Sequence, residues 1–284
     1  MYIFILDLDG TIVGDVKYQV TKFSLQNSLK NHGHKPKHRA PPASFHPDMK
    51  LLRPGFGSWV KAIKAAYPDS HFFIYTASEK MWAQVEVPWI EKSIGVKFDR
   101  PIFCRDDCVA DYYTYKKSIN KLLPRIWKSV GKKLSAQERE VVVRERLMIV
   151  DNTAVYVDHA DRMLLCPDYN YAVFEDILEG IPKSFHGTNA VLSLMNQGLV
   201  CPSNGAPSSD PVKAMAQKYG WLAKRCHSIV NNNALYVHDQ FWRILRKLMT
   251  GHNIATFSPS TIKELQERCW EATHKIKKIK SGTS

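Results

Sequence analysis

No stretch of the sequence approaches the roughly 18 uninterrupted apolar residues that a membrane-spanning helix requires. The N-terminus also lacks a basic segment followed by an apolar run and a cleavage site, because the apolar residues from Met1 to Leu6 lead directly into Asp7. These absences predict an intracellular protein, cytoplasmic or nuclear, with no secretory signal and no membrane span.

Cysteine is scarce, with six residues among 284, and none of them forms a Cys-x-x-Cys pair. Cys104 and Cys108 are four residues apart, but no second pair or histidine couple accompanies them. This pattern argues against a zinc site and favours reduced thiols. Residues 15–50 lack clear periodicity and are predicted to be irregular. Their histidines have no acidic companions and are interpreted as solvated; they are His32, His34, His38 and His46.

Acidic residues are outnumbered, 27 against 40 Lys and Arg, which gives a net charge of +13. The excess is uneven, because residues 116–147 carry +7 and residues 201–284 carry +8, whereas the remainder carries −2. Such basicity indicates an anionic partner, such as a phosphorylated protein or a nucleic acid. The basic charge lies in two additions and not in the segments whose motifs indicate catalysis.

Short apolar segments alternate with amphipathic helical segments along residues 1–200, which predicts an α/β fold with a doubly wound, mostly parallel sheet. The predicted strands are Ile3–Leu6, Phe72–Tyr75, Ile102–Phe103, Leu147–Val150 and a weaker one at Met163–Leu165. The predicted helices are Phe56–Ala66, a helix around Trp82 that Pro88 interrupts, and a basic helical insertion at about 118–146.

Residues 201–211 are rich in Pro, Ser and Gly and read as a linker. Beyond it, three helices are predicted at about 211–230, 234–249 and 260–279. The predicted domain organisation is therefore a catalytic domain over 1–200 and a basic helical C-terminal extension over 201–284.

Polar residues follow three of the predicted strands. Asp7 and Asp9 follow the first strand, Thr76 follows the second, and Asp151 and Asn152 follow the fourth. If these strands are adjacent and parallel, the polar residues gather at one edge, where open α/β sheets bind ligands. The Asp-x-Asp pair can supply a nucleophile and a general acid/base and help to hold Mg²⁺. Thr76 and a lysine could bind the phosphoryl group, and Asp151 or Asn152 could complete the metal shell.

The segment Asp7–Thr11 resembles the first motif of the haloacid dehalogenase (HAD) superfamily. Within it, the chain is similar to the phosphatases of the carboxy-terminal domain (CTD) of RNA polymerase II, the NLI-interacting-factor group. Order and spacing match from residue 1 to about 185. The segments that carry this resemblance are Leu52-Arg53-Pro54-Gly55, Ile74-Tyr75-Thr76-Ala77-Ser78, Phe103-Cys104-Arg105-Asp106-Asp107-Cys108, Tyr115-Lys116-Lys117 and Ile149-Val150-Asp151-Asn152.

The resemblance implies a Mg²⁺-dependent phosphatase that acts through an aspartyl-phosphate. Asp7 is then the nucleophile and a metal ligand, and Asp9 is the general acid/base and offers its backbone carbonyl to Mg²⁺. The remaining implied roles are phosphate binding by Thr76, Lys117, Leu8 and Gly10, metal binding by Asn152, and support from Asp151 and Thr11. The family's Tyr-x-Lys spacing from Tyr115 favours Lys117 over Lys116.

The implied substrate is a phosphoserine or phosphothreonine protein, of which the polymerase CTD is one example. The basic insertion and tail, with Trp221, Tyr236, Phe241 and Trp242 among the tail's basic residues, leave a nucleic-acid end phosphatase as an alternative. Those aromatics are more simply interpreted as helix core. A catalytically silent scaffold is the third possibility, although the intact motifs argue against it.

Overall fold

The computed structural model describes residues 1–30, 33, 42–110, 115–175, 181–186, 232–252 and 254–280. The chain forms two compact units, one of Met1–Gly14, Leu52–Tyr169 and His238–Ser284 and the other of Asp15–Leu51 and Asn170–Val237. In chain order, the helices are α1 (Lys17–Lys30), α2 (Phe56–Ala66), α3 (Lys80–Ile94), α4 (Ile119–Val130), α5 (Ala136–Glu145), α6 (Lys183–His186), α7 (Phe241–Gly251) and α8 (Pro259–Lys280). The strands are β1 (Tyr2–Leu6), β2 (Ser70–Ile74), β3 (Val109–Ala110), β4 (Tyr115–Lys116), β5 (Leu147–Asp151) and β6 (Met163–Leu165).

The first unit is built on a four-stranded parallel sheet in the order β2-β1-β5-β6. The register places Leu6 opposite both Ile74 of β2 and Val150 of β5. The carboxyl ends of these three neighbouring strands therefore lie at one edge, as the sequence predicts. The predicted α/β fold class is confirmed.

Both faces of this sheet are covered, which is why the central strand β1 carries apolar residues on both faces and does not alternate them with polar ones. Ile3 and Ile5 of β1 point to one face and join a core with Ile119, Leu122 and Ile126 of α4. Phe4 points to the other face, where an aromatic cluster forms from residues that are distant in sequence. In that cluster Phe4 stacks on Phe72 and meets Trp59 and Phe257 edge to face.

Two predicted element boundaries in the first unit are wrong. The strand at Ile102–Phe103 is only a bridge between Phe103 and Tyr75, because Pro101 before it has no N–H for a ladder. Pro88 does not interrupt α3, which runs on to Ile94. Burial of Val87, Ile90 and Ile94 on one side of this helix outweighs the roughly 3 kcal/mol that an internal proline costs.

The basic insertion and the tail are helical in the first unit, as expected. The insertion contains α4 and α5, separated at Gly131, whose positive φ ends α4. In the tail, α7 starts at Phe241, later than the predicted 234, and α8 follows the predicted 260–279 closely. The predicted helix at 211–230, the linker and the predicted domain boundary after residue 200 lie outside the described residues, and the boundary stays a prediction.

The second unit corrects the prediction for residues 15–50, which contain the fourteen-residue helix α1. Its buried side includes Gln19 and Gln26, so the apolar periodicity that reveals a helix is weak. The Gln19 amide donates to the Val173 carbonyl at 2.9 Å, and Asn233 bonds both backbone groups of Ala172. Of the four histidines, only His46 is described, and it pairs with Asp48.

Neither α8 nor any other helix in the described ranges is long and apolar enough to cross a membrane. The four cysteines that the structure describes, Cys104, Cys108, Cys166 and Cys269, are free thiols, all buried. The reduced state of the cysteines stays a prediction.

Candidate active site

Asp7 lies at the carboxyl end of β1, beside a buried lysine. The Lys117 ammonium donates to Asp7 Oδ1 and to Asp151 Oδ2, each at 2.7 Å, and all three side chains are buried. Lys117 follows the β3–β4 hairpin, and its backbone N–H is fixed by the Val155 carbonyl at 2.9 Å. Lys116, the alternative lysine, lies on β4 and makes no such contact among the described residues.

Burial and the neighbouring charges both shift the pKa values of Asp7 and Lys117. Burial, with Asp151 and Asp9 nearby, raises the pKa of Asp7 to about 7, although Lys117 lowers it. Burial alone would lower the pKa of Lys117, but Asp7, Tyr156 and Asp151 raise it well above its ordinary value. The lysine is therefore a permanent cation beside a carboxylate that is costly to ionise.

Asp9 is held by the turn that follows β2. The Ser78 hydroxyl donates to Asp9 Oδ2 at 2.6 Å, and the Thr76 hydroxyl lies 3.5 Å from the same oxygen. The Ser78 N–H in turn donates to the Thr76 hydroxyl at 3.0 Å. Thr76 thus faces the second aspartate of the motif, whereas Lys117 contacts the first. Ser78 is a site residue that the sequence analysis did not select, although it belongs to a motif that was singled out.

The Thr11 hydroxyl joins β1 to β5 across the site. It lies 3.2 Å from Asp7 Oδ2 and 3.1 Å from Asn152 Oδ1, and it accepts the Asn152 N–H at 3.0 Å. The Asn152 side-chain amide donates to Asp168, so its oxygen faces the loop. Asp168 follows β6, and no motif or spacing in the sequence pointed to it.

The loop between Asp7 and Thr11 turns sharply. Gly10 has φ of +77°, and a Cβ there would lie 2.5 Å from the Asn152 amide nitrogen, so glycine is required on both counts. The Leu8 side chain is fully buried, and its carbonyl accepts the N–H groups of Thr11, Ile12 and Val13. The Gly10 N–H donates to the Val13 carbonyl at 2.8 Å. The predicted phosphate-binding roles of Leu8 and Gly10 thus depend on a loop whose backbone is largely bonded to itself.

The oxygen atoms predicted to hold Mg²⁺ fit a hard cation. Asp7 Oδ2 and Asn152 Oδ1 converge on the same hydroxyl, and carboxylate and amide oxygens are the ligands that Mg²⁺ prefers. Within the described part of the chain, no group of three or more His, Cys, Asp or Glu side chains is arranged to hold a metal ion. An all-carboxylate or zinc site is therefore not found there, and the candidate site combines aspartate with asparagine.

Glu86 of α3 is a further acidic residue that the sequence did not reveal. Its side chain is fully buried, and burial together with Asp9 and Asp7 raises its pKa well above the ordinary value, although a hydrogen bond from Trp82 lowers it. Burial therefore favours the neutral form of the Glu86 carboxyl. Because Glu86 lies within an amphipathic helix, the sequence gave no sign that its carboxyl is buried near Asp7 and Asp9.

A sequence model of the family described as NLI interacting factor-like phosphatase matches residues 2–181 of the chain. No curated protein matches the chain. Among solved structures, the RNA polymerase II CTD phosphatase Fcp1 of fission yeast, bound to beryllium fluoride, is 16% identical with a TM-score of 0.41. That alignment covers 100% of this chain and 67% of the other. A second structure, of Fcp1 described as an essential RNA polymerase II CTD phosphatase, is 16% identical with a TM-score of 0.37, covering 93% and 70%.

The family match includes the loop Asp7–Thr11, the turn at Thr76, Lys117 and the end of β5, which are the residues that meet at the carboxyl edge of the sheet. It extends over more than half of the chain and leaves α7 and α8 outside. The chain belongs to the NLI interacting factor-like phosphatase family.

Proposed function

We propose that the protein is a Mg²⁺-dependent phosphatase that hydrolyses phosphomonoesters through an aspartyl-phosphate on Asp7. The observation that carries this proposal is the Lys117 ammonium, 2.7 Å from both Asp7 and Asp151 in a buried site. A nucleophilic carboxylate must approach a phosphate dianion, and a fixed cation between the two reduces their repulsion. Lys117 is positioned for that task.

In the first step, Asp7 attacks phosphorus, so that a new oxygen–phosphorus bond forms while the ester bond breaks. Asp9 donates its proton to the leaving oxygen. In the second step, water attacks the aspartyl-phosphate, Asp9 takes the water proton, and inorganic phosphate leaves. The Ser78 hydroxyl, 2.6 Å from Asp9 Oδ2, orients the acid/base for both steps. The Thr76 hydroxyl, beside the same carboxylate, would bind a phosphoryl oxygen.

Asp7, the Asp9 carbonyl and Asn152 are the groups that would hold Mg²⁺. When bound, the ion would offset the negative charge of the carboxylates and of the phosphoryl oxygens. Thr11 and Asp168 keep the Asn152 amide in one orientation, with its oxygen directed to the loop. The Asn152 oxygen is thereby available as a ligand and its nitrogen is occupied elsewhere.

The proposed substrate is a phosphoserine or phosphothreonine protein, which the resemblance of the motifs to the CTD-phosphatase group and the family match favour. A test is a substrate screen of phosphoserine and phosphothreonine peptides, including CTD repeats, against oligonucleotides with 5′ or 3′ phosphates. The Asp7→Asn variant serves as the blank. We expect Mg²⁺-dependent turnover of peptides to exceed that of oligonucleotides. Robust hydrolysis of a small aryl phosphate with no turnover of any phosphopeptide would contradict the protein substrate.

A nucleic-acid end phosphatase is the second candidate, because α4, α5 and the turn between them expose a run of basic residues. These include Lys128, Lys132, Lys133 and Arg139. The aromatic part of that hypothesis fails for Phe241 and Trp242, which are fully buried and cannot stack on bases. Trp221 lies outside the described residues. Oligonucleotide binding without a steep salt dependence would remove the remaining support.

A further inference from the structure

The catalytic loop is also held from the side opposite the nucleophile, by residues of the C-terminal segment. The Trp242 indole N–H donates to the Thr11 carbonyl at 3.2 Å. The Arg53 guanidinium lies 3.4 Å from the same carbonyl and 3.4 Å from that of Gly10. Thr11 is fully buried, so these carbonyls depend on protein donors. The backbone of Thr11 is thus tied to the core while its hydroxyl faces Asp7 and Asn152.

Arg53 is itself fixed by Asp239, the residue two positions before α7. Its Nε and Nη2 donate to the two Asp239 oxygens, each at 2.9 Å, in a bidentate pair. The guanidinium lies 4.9 Å from the centre of the Phe241 ring and 5.2 Å from that of Tyr169. Asp239 also accepts the Phe241 N–H at 3.2 Å, which connects this ion pair to the start of α7. A forked guanidinium held on both arms has little freedom to move.

Trp242 is held equally firmly. Its ring centre lies 4.6 Å from Trp59 and 5.0 Å from Phe56, both on α2. Gly55 permits this close approach, since a Cβ there would lie 2.7 Å from the side chain of Arg243, the next residue of α7. The indole N–H is therefore presented to the loop by a rigid aromatic cluster.

We propose that Asp239 and Trp242 are positioning residues for phosphoryl transfer. They fix the Gly10 and Thr11 carbonyls, Asp239 through Arg53, and the Thr11 hydroxyl then fixes Asp7 and Asn152. Both residues lie outside the matched range 2–181, so the C-terminal segment completes a catalytic loop that the family region begins. This inference rests on the proposed phosphatase activity.

Trp242→Phe tests the proposal, because phenylalanine retains an aromatic ring but has no N–H to donate. Leu245→Ala is the matched control, as Leu245 is buried on the same helix and its side chain has no group that can donate a hydrogen bond to the loop. We expect Trp242→Phe to lower kcat for an aryl phosphate about fivefold, as the loss of one hydrogen bond implies, with KM within twofold. Mg²⁺ binding, measured by calorimetry without substrate, should weaken about threefold, because Asn152 is less firmly oriented.

Leu245→Ala should lower the melting temperature at least as much as Trp242→Phe, yet leave kcat and Mg²⁺ binding within twofold of the wild type. Asp239→Asn, which removes one acceptor of the Arg53 fork, should lower kcat about tenfold with the same pattern. The proposal is overturned if folded Trp242→Phe and Asp239→Asn keep wild-type kcat and Mg²⁺ binding, or if Leu245→Ala loses as much of both. Absence of phosphatase activity in the wild type would instead contradict the proposed function.

Discussion

Two buried cations lie on opposite sides of the same loop, and they are used differently. Lys117 is shared between the carboxylates of Asp7 and Asp151 on the side of the proposed nucleophile. Arg53 is forked onto the single carboxylate of Asp239 on the side of the core. A lysine is a compact charge that can exchange one acceptor for another, whereas an arginine fork fits one planar partner. The Lys117 side of the loop can therefore respond to a phosphate, whereas the Arg53 side holds the backbone in place.

The balance of charges also differs between the surroundings of Lys117 and those of Arg53. Around Lys117, two aspartates share one ammonium, and burial raises the pKa of Asp7 to about 7. Around Arg53, one carboxylate and two ring faces satisfy one guanidinium. Variants near Lys117 should therefore change activity most, and variants of Arg53 should change stability most.

The largest effect is expected for Asp7→Asn, which replaces the proposed nucleophile by a group that cannot form the acyl phosphate. We expect kcat/KM for an aryl phosphate to fall by at least about a thousandfold. Steady-state assays with Mg²⁺ provide the measurement, and Asp161→Asn, at an exposed position, is the control that should retain activity. Activity of Asp7→Asn within tenfold of the wild type would exclude Asp7 as the nucleophile.

Lys117→Met should lower kcat/KM by about a hundredfold, because it removes the fixed cation beside the attacking carboxylate. Lys116→Met is the matched control, since Lys116 is the neighbouring lysine on β4. Its activity should stay within twofold of the wild type. Equal losses in the two variants would contradict the assignment of the phosphate-binding role to Lys117.

Arg53→Lys should lower the free energy of unfolding by about 3 kcal/mol, because a buried lysine keeps the charge but cannot make the fork to Asp239. Urea denaturation measures this change. Arg100→Lys is the control, as Arg100 also forms a bidentate pair, through Nη1 and Nη2 to Glu91, but is exposed. Its cost should be below about 1 kcal/mol. If the two substitutions have equal costs, burial of the Arg53 pair has no special effect.

Glu86→Gln should stabilise the protein by about 2 kcal/mol at pH 8, since this buried carboxyl has no cation in ion-pair contact among the residues described. The pKa of Glu86 is raised in the folded state. The contribution of this group to the stability of the wild type is therefore greatest below the ordinary pKa of 4.5 and is lost as the pH rises above that value. The advantage of Glu86→Gln should therefore grow from pH 5 to pH 8, as followed by thermal unfolding. A constant difference across this range would show that Glu86 ionises normally.

The edge of the sheet that holds the candidate active site could be predicted because its signals are local. Each strand that delivers Asp7, Thr76 or Asp151 is an apolar run that ends in polar residues, and parallel pairing brings those ends together. The choice of Lys117 followed from the family's spacing. Where apolar periodicity was weak, as in α1, or where packing overcame a proline, as in α3, the local signals were misleading.

The support of the loop could not be predicted, because it depends on pairs that are distant in the chain. Arg53 and Asp239 are 186 residues apart, and Asn152 and Asp168 meet only because β6 follows β5 in the sheet. A single arginine or aspartate in the sequence carries no sign of its partner. The basic charge and aromatic residues of the tail suggested nucleic-acid binding, but one of these aromatic residues, Trp242, is buried against α2.

Trapping the phosphorylated enzyme tests the proposed covalent route through Asp7. Wild-type protein is mixed with Mg²⁺ and a radiolabelled phosphopeptide, quenched in acid within milliseconds, and digested for mass spectrometry. The account predicts a hydroxylamine-sensitive phosphoryl group on the peptide that contains Asp7, and none in Asp7→Asn. Steady turnover with no label on Asp7 at any quench time would contradict it.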